Sequence, residues 1–361
     1  MLKIVTILGA RPQFIKAAVL SRIISENKEV EEVIVHTGQH FDANMSAIFF
    51  DQMNIPKPKY NLDINNLSHG VMTGIMLQKL DKILESENPE VVVVYGDTNS
   101  TLAGALVAKK QHKKLVHIEA GLRSYNMQMP EEINRIVTDR IADLLCCPTA
   151  NAIENLKQEG FDNFNAKIFL SGDIMKDAVE YYSGISEKIS SIIQEKSLTK
   201  DEFVLATVHR QENTQSIKNL TSIFKALEQI NDDCNVIMPL HPRTKKVLQD
   251  NNLTFNIIFI EPVSYFDMLA LLKNCKMVIT DSGGLQKEAF FNHKPCVILR
   301  EETEWVELLE HKFARLAGSD AADIVFAYRY FKNSVANFSL ELYGNNVGEK
   351  IYTELINLIK K

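Results

Sequence analysis

The stretch VVVVYGDTNST, residues 91–101, decides the fold. Four consecutive valines predict a strand buried on both faces, because only a sheet covered on both sides accommodates such a run. The strand stops at Tyr95 and Gly96, and Asp97 follows. The next residues, TNSTLAGALVAKK, are small and then helical in pattern. A carboxylate is thereby expected at the carboxyl end of a central strand, where open α/β sheets keep their ligand crevices. Two neighbouring segments repeat the arrangement. LVHIEAGLRS (115–124) reads as a short strand ending at Glu119 and Gly121, and PEEINRIVTDRIADLL (130–145) as a helix opened by Pro130, Glu131 and Glu132. One acid in such a place reads as a helix cap. Asp97, Glu119 and Glu131 together read as the chemical centre.

Outward from this centre, strands and helices alternate at the spacing of a doubly wound parallel sheet. KIVTIL (3–8) predicts the first strand, followed by a turn at Gly9–Pro12 and a helix over 13–26. EEVIVHTGQH (31–40) predicts the next strand, and residues 42–53 and 68–87 predict helices. Helix 99–110, strand 115–118, helix 150–161 and strand 167–173 complete the unit. From about residue 174 the chain turns Ser-, Glu- and Lys-rich, and the pattern then restarts at FVLATVH (203–209). The expected organisation is two Rossmann-like domains facing a cleft. Residues 1–172 carry the acids and 173–345 form the second domain, with a C-terminal helix over 346–361 packed back on the first.

Composition narrows the function classes. Hydrophobic content is 45% and charged content 24%, ordinary for a globular chain of this length. Net charge is -6, with no concentration of Lys or Arg, which argues against nucleic acid as a partner. The five cysteines are scattered and lack zinc spacing, so they read as small core residues of a reducing compartment. No apolar run reaches the roughly 20 residues of a membrane span, and no signal pattern opens the chain. A cytoplasmic protein is expected.

The turn at Gly9 leaves free N–H groups before a helix, a usable anion site, flanked by Arg11 and Lys16. There is neither GxGxxG nor a P-loop. In the second half, TVHRQEN (207–213) ends a strand with His209 and Arg210, and LHPRTK (240–245) ends another with His241. TDSGGLQKEAF (280–290) places Ser282, Gly283 and Gly284 between strand and helix. Two glycines let backbone amides approach a diphosphate, and the helix start adds roughly half a positive charge. Glu288, one turn in, is placed to take ribose hydroxyls. A diphosphate cradle together with a group of acids suits a nucleoside-diphosphate sugar, in an enzyme or in a glycosyltransferase-like transferase.

GARPQFIK (9–16), VYGDTNST (94–101), HIEAGLRS (117–124), PEEINR (130–135), TVHRQEN and TDSGGLQKEA occur in that order. Together they resemble the bacterial non-hydrolysing UDP-N-acetylglucosamine 2-epimerases along essentially the whole chain. The resemblance implies a fold of glycosyltransferase-B type, a homodimer, a UDP-sugar substrate, and no metal or nicotinamide cofactor. It implies C2 inversion by elimination and re-addition of UDP, with Asp97, Glu119 and Glu131 as acid/base groups. It places Arg11, Lys16, Arg135 and His209 near sugar and diphosphate, with His209 in a catalytic role; Arg210 beside it is a further candidate for substrate binding. Ser282, Gly283, Gly284 and Glu288 fall where the family holds UDP. The alternatives are a hydrolysing epimerase that releases UDP and a two-domain glycosyltransferase.

The sequence also departs from the family pattern. His241-Pro242-Arg243 replaces a His-x-Asn-Pro turn, Trp305 stands where an arginine is common, and Met268, with Tyr265 nearby, replaces an aromatic uracil neighbour. Gln39 and His40 remain from an activator motif, but Asp42 replaces its second glutamine and NNLSHG (65–70) offers no arginine. GARPQFIK, QHFDANMS and LHPRTK look closer to relatives acting on UDP-2,3-diacetamido-glucuronate. Its extra carboxylate calls for another cation, for which Arg243 and Arg123 are the candidates.

Overall fold

The computed structural model describes residues 2–27, 29–39, 50, 53–334 and 337–360. The chain divides into two compact units, one of Met1–Ala178 with Glu341–Lys361 and one of Val179–Leu340. The division falls inside helix Ile174–Ile189.

The first unit holds strands β1 (Leu2–Leu8), β2 (Val30–His36), β3 (Tyr60–Asn61), β4 (Val91–Tyr95), β5 (Lys114–Ile118), β6 (Leu144–Cys147) and β7 (Lys167–Leu170). They form one parallel sheet in the order β3-β2-β1-β4-β5-β6-β7. The order reverses between β1 and β4, so the chain winds outward in both directions from that pair. All five residues of β4 are fully buried. At about 1.5–3 kcal/mol for each large apolar side chain removed from water, the valine run anchors this sheet. Helix Asn99–Lys110 packs back on β4 and β1.

The segment read as one helix over 130–145 splits in two. Helix Pro130–Ile141 ends at Ala142, which is extended at ψ 147°, and Leu144–Cys147 becomes β6, fully buried between β5 and β7. A four-residue apolar run fits helix and strand periodicity equally well. Asp143 sets the boundary, because its carboxylate accepts the Leu115 N–H at 2.7 Å and pairs with Lys109 at 2.8 Å. The first helix starts earlier than expected, at Arg11, with Pro12 in its first turn. The predicted helix over 42–53 lies almost wholly outside the described residues.

The chain returns to the first unit at its end. Helix Val347–Lys360 packs on helix Arg11–Ser25, and the Gly348 N–H donates to Asp177 at 2.8 Å. The return is fixed at Gly172 (φ +87°), where a Cβ would come within 2.3 Å of the Tyr343 carbonyl oxygen. Gly172→Ala is expected to cost about 2–5 kcal/mol, from left-handed backbone and overpacking together. A lowered urea midpoint would show it; an unchanged midpoint would mean that the return segment relaxes freely.

At the sheet edge, the buried Glu87 carboxylate accepts from Lys59, Tyr60 and Lys3. Hydrogen bonds from Lys59 and then Tyr60 draw its pKa from 4.5 to about 2. The folded chain therefore keeps Glu87 ionised where the unfolded chain protonates it. Its contribution is complete above pH 4.5 and is lost as the pH falls toward about 2. Glu87→Gln should flatten the loss of stability across that window in urea titrations at stepped pH. A slope equal to that of the parent protein would assign acid unfolding to other groups.

The second unit repeats the plan with β8 (Phe203–Thr207), β9 (Asn235–Pro239), β10 (Ile258–Ile260), β11 (Met277–Thr280), β12 (Cys296–Ile298) and β13 (Ala314–Leu316). Its parallel order is β10-β9-β8-β11-β12-β13. Its core joins Leu220, Phe224 and Leu227 to Ile324, Tyr328 and Phe331, as helix Ala321–Lys332 packs on helix Ile217–Asn231. β13 and that late helix had no counterpart in the sequence reading. Cys146, Cys147, Cys275 and Cys296 are buried, Cys234 is half-buried, and all five are free thiols. No helix among the described residues is long and apolar enough to cross a membrane.

Candidate active site

In the first unit the sequence-nominated acids gather at the carboxyl edge of the sheet. β4 ends at Gly96 (φ +60°), whose N–H donates to the Ile118 carbonyl at 2.9 Å. Asp97 follows. Its Oδ2 accepts from Arg135 Nε at 3.0 Å and Nη2 at 2.7 Å, and its backbone carbonyl accepts from Asn134 at 2.8 Å. Arg135 turns its remaining nitrogen to buried Glu132 at 2.6 Å. Glu132 in turn accepts from the N–H groups of Ser124 and Tyr125. Arg135 is thus a clamp between two carboxylates, one of which orders the loop after β5.

Glu119 ends β5 in the left-handed region (φ +72°), unusual for a residue with a side chain. Its carboxylate pairs with Lys16, and both side chains are about nine-tenths buried. A Cβ on Gly96 would lie 3.3 Å from Glu119 Oε2 and 4.0 Å from Lys16 Nζ. Glu119 and Lys16 therefore flank the residue just before Asp97. Glu131 is half-buried in the first turn of helix Pro130–Ile141, one turn before Arg135 and on the same face. Its carboxylate makes no hydrogen bond or ion pair among the described residues. Arg11 is half-buried at the start of its helix, above the same edge.

Several residues that organise this edge had no assigned part in the sequence reading. The Gln13 side chain accepts from Gly9 and Ala10 N–H and donates to the Tyr95 carbonyl at 2.6 Å, joining the β1 turn to the β4 turn. His117 and Asp139 are fully buried beneath it and bonded to each other. One signal was available. Glu132, Arg135 and Asp139 recur at intervals of three and four, so a charged stripe occupies the inner face of an amphipathic helix.

Arg123 does not serve as a cation for a substrate carboxylate. It is buried and spends its donors on Glu159 at 2.6 and 2.8 Å, Asp139 at 2.7 Å and the Leu122 carbonyl. Gln39, noted for its place in the activator motif, accepts from Ser100 N–H and Oγ at the start of helix Asn99–Lys110. His40 and Asp42 lie outside the described residues.

In the second unit, buried Asp281 ties two turns together. It accepts from the N–H groups of His209 and Arg210, each at 2.9 Å, and from Asn213 at 3.1 Å. His209 Nδ1 lies 3.2 Å from the same carboxylate. The His209 ring stacks on His241 at 5.6 Å, and Arg243 donates to the His209 carbonyl at 3.2 Å. Burial, helped by Arg210 and Arg243, lowers the His209 pKa against the pull of Asp281. Burial, then His209 and Arg243, lowers that of His241. Both rings are therefore biased toward the neutral form at pH 7.

Next to them, Ser282 caps helix Gly283–Phe291, accepting from Leu285 N–H at 3.4 Å. A Cβ on Gly284 would meet no atom within 4 Å. The Gly283 carbonyl accepts from the buried Trp305 indole at 3.1 Å, and Lys287 Nζ lies 3.7 Å from that ring. Glu288 is buried one turn into the helix. Tyr265 is buried edge-on against Tyr182 at 6.2 Å, while Met268 on the same helix is half-buried. This unit thus presents helix-start amides, a hydroxyl and two histidines along the carboxyl edge of its sheet, a set suited to an anionic ligand.

The chain is similar to known proteins along nearly its whole length. The family described as UDP-N-acetylglucosamine 2-epimerase matches residues 22–355. Over 344 residues the chain is 51% identical to the UDP-2,3-diacetamido-2,3-dideoxy-D-glucuronate 2-epimerase of Pseudomonas aeruginosa, covering 95% of this chain and 96% of the relative. It is 40% identical over 360 residues to the UDP-N-acetylglucosamine 2-epimerase of Methanocaldococcus jannaschii, with 97% and 98% covered. A crystal structure of the M. jannaschii enzyme in complex with UDP-GlcNAc and UDP matches with a TM-score of 0.91 at 39% identity, over 99% of this chain and 100% of that one. The Neisseria meningitidis enzyme bound to UDP-GlcNAc gives 0.88 at 29% identity, again over 99% and 100%. The chain, two parallel α/β sheets with acids at the edge of one and a glycine-containing helix start at the edge of the other, belongs to the UDP-N-acetylglucosamine 2-epimerase family.

Proposed function

We propose that this protein interconverts the C2 epimers of a UDP-2-acetamido sugar by eliminating UDP and adding it back. The observation that carries the proposal is the placing of Asp97 and Glu119 at the Gly96 turn, with Glu131 one helical turn before Arg135, which holds Asp97. A sugar C2–H has no adjacent carbonyl, so no carboxylate removes it in isolation. The proton leaves only as the C1–O bond to UDP breaks. The C2–H electron pair becomes the C1–C2 double bond, UDP departs with the C1–O pair, and the proton passes to a carboxylate. In the reverse step UDP adds to C1 while an acid returns a proton to the other face of C2. Two carboxyl groups on different elements are therefore needed. The second unit supplies Ser282, the Gly283 and Gly284 turn and His209 for the leaving diphosphate, with Glu288 for the ribose. The negative charge of the diphosphate favours the protonated form of His209, against the effect of burial.

The substrate we favour is the 2,3-diacetamido uronate, a precursor suited to surface polysaccharides. The P. aeruginosa relative supports it, and so does Arg243, which remains exposed once Arg123 is consumed internally. Proton NMR with each UDP-sugar in deuterated water tests the reading, because it reports the epimer, deuterium at C2 and any released UDP together. The uronate should turn over faster, without stoichiometric free UDP, and Arg243→Ala should raise its KM about tenfold while leaving that of UDP-N-acetylglucosamine unchanged. Preference for UDP-N-acetylglucosamine would overturn the uronate assignment. Stoichiometric UDP release would identify a hydrolysing enzyme.

A further inference from the structure

His117 and Asp139 have zero exposure, so neither touches a substrate. His117 projects from β5 between two acceptors. Its Nε2 donates to the Gly96 carbonyl at 2.7 Å, and its Nδ1 lies 2.6 Å from Asp139 Oδ1. Asp139 Oδ2 accepts from the Gly121 N–H at 3.1 Å and from Arg123 at 2.7 Å. One carboxylate therefore joins two loops. Through His117 it holds the Gly96 turn that leads into Asp97. Through Gly121 and Arg123 it holds the segment that follows Glu119.

The loop at Glu119 needs such a restraint, and the glycine turn before Asp97 is fixed by it. Gly96 and Glu119 each adopt positive φ, +60° and +72°, and left-handed backbone at a residue with a side chain persists only where its surroundings enforce it. Burying ionisable groups here is costly unless partners offset it. Burial pushes the Asp139 carboxyl up, but His117 and Arg123 outweigh it and hold the group below the ordinary carboxylate range. An apolar pair would fill the same space without that cost, yet it would leave the Gly96 carbonyl unheld.

We propose that His117 and Asp139 are positioning residues for the C2 proton transfer, fixing Asp97 and Glu119 at their working separation. This rests on the reaction proposed above. It predicts a loss confined to the chemical step, because neither residue is among the groups proposed for the diphosphate, Ser282, Gly283, Gly284 and His209.

The test uses the full-length chain with His117→Phe, His117→Gln and Asp139→Asn. Steady-state epimerisation is measured with the UDP-sugar that the parent protein turns over, alongside UDP affinity by calorimetry and thermal unfolding. His117→Phe should lower kcat about 100-fold, the scale of a misplacement near 1 Å, with KM and UDP affinity within about threefold. His117→Gln, whose amide still reaches the Gly96 carbonyl, should recover kcat to within about tenfold of the parent. Asp139→Asn should lower kcat with KM held, and it gives the reading if the Phe variant does not fold. The inference is overturned if His117→Phe or Asp139→Asn keeps parental kcat, or if Gln is as damaging as Phe. Losses of kcat that only track the unfolded fraction or weakened UDP binding overturn it as well. A parent protein inactive toward every UDP-2-acetamido sugar overturns the reaction itself, whereas an active parent with insensitive variants overturns this inference alone.

Discussion

Asp97→Asn is expected to lower kcat by about 10²–10⁴, the usual worth of a positioned acid/base group. The fold should survive, because the amide is isosteric and its oxygen still accepts from Arg135, now bonded to Oδ2 at 2.7 and 3.0 Å. What is lost is the proton-accepting carboxylate. UDP affinity should stay within about threefold, because the proposed diphosphate groups follow β8 and β11 rather than β4. Kinetics with either epimer, together with the melting curve, decide the matter. A variant that folds and retains parental kcat would remove Asp97 from the chemistry.

The largest structural effect is expected from Arg135→Met. Arg135 is the ion-pair partner of buried Glu132 among the described residues, and it also grips Asp97. Deleting it strands a carboxylate in the interior, which costs about 3–5 kcal/mol. Glu132 then loses its balance while still holding the Ser124 and Tyr125 N–H groups, so the loop after β5 loosens too. Arg135→Lys restores the charge but not the planar fork, and it should recover only part of the stability and little of the activity. Urea unfolding of the three proteins measures the cost. A midpoint for Arg135→Met equal to that of the parent would mean that water reaches Glu132.

How far the sequence could be read follows from where the information lies. β4 was legible because burial on both faces writes itself as an uninterrupted valine run, and the turn at Gly283 because its determinants are adjacent in the chain. β6 was missed because four apolar residues carry no period, and β13 because three residues carry less. At the site, acids at strand ends were legible one by one. Their partners were not. His117 and Asp139 are 22 residues apart and meet only when the helix after β5 folds over the sheet. Arg123 looked available for the same reason, since Glu159 and Asp139 become its neighbours only in the folded chain. Arg135 was read as a contact for the ligand, and its bonds to Asp97 and Glu132 were not legible beside that reading.

The central claim is that the C2 proton and the C1–O bond are lost together beside the Gly96 turn. Positional oxygen exchange tests it most directly. The UDP-sugar is prepared with heavy oxygen in the bridge between C1 and phosphorus and incubated in deuterated water. The account predicts that the label moves to non-bridging positions of the recovered UDP-sugar while deuterium enters C2, and that Asp97→Asn suppresses both. Epimerisation with the label still in the bridge would contradict it.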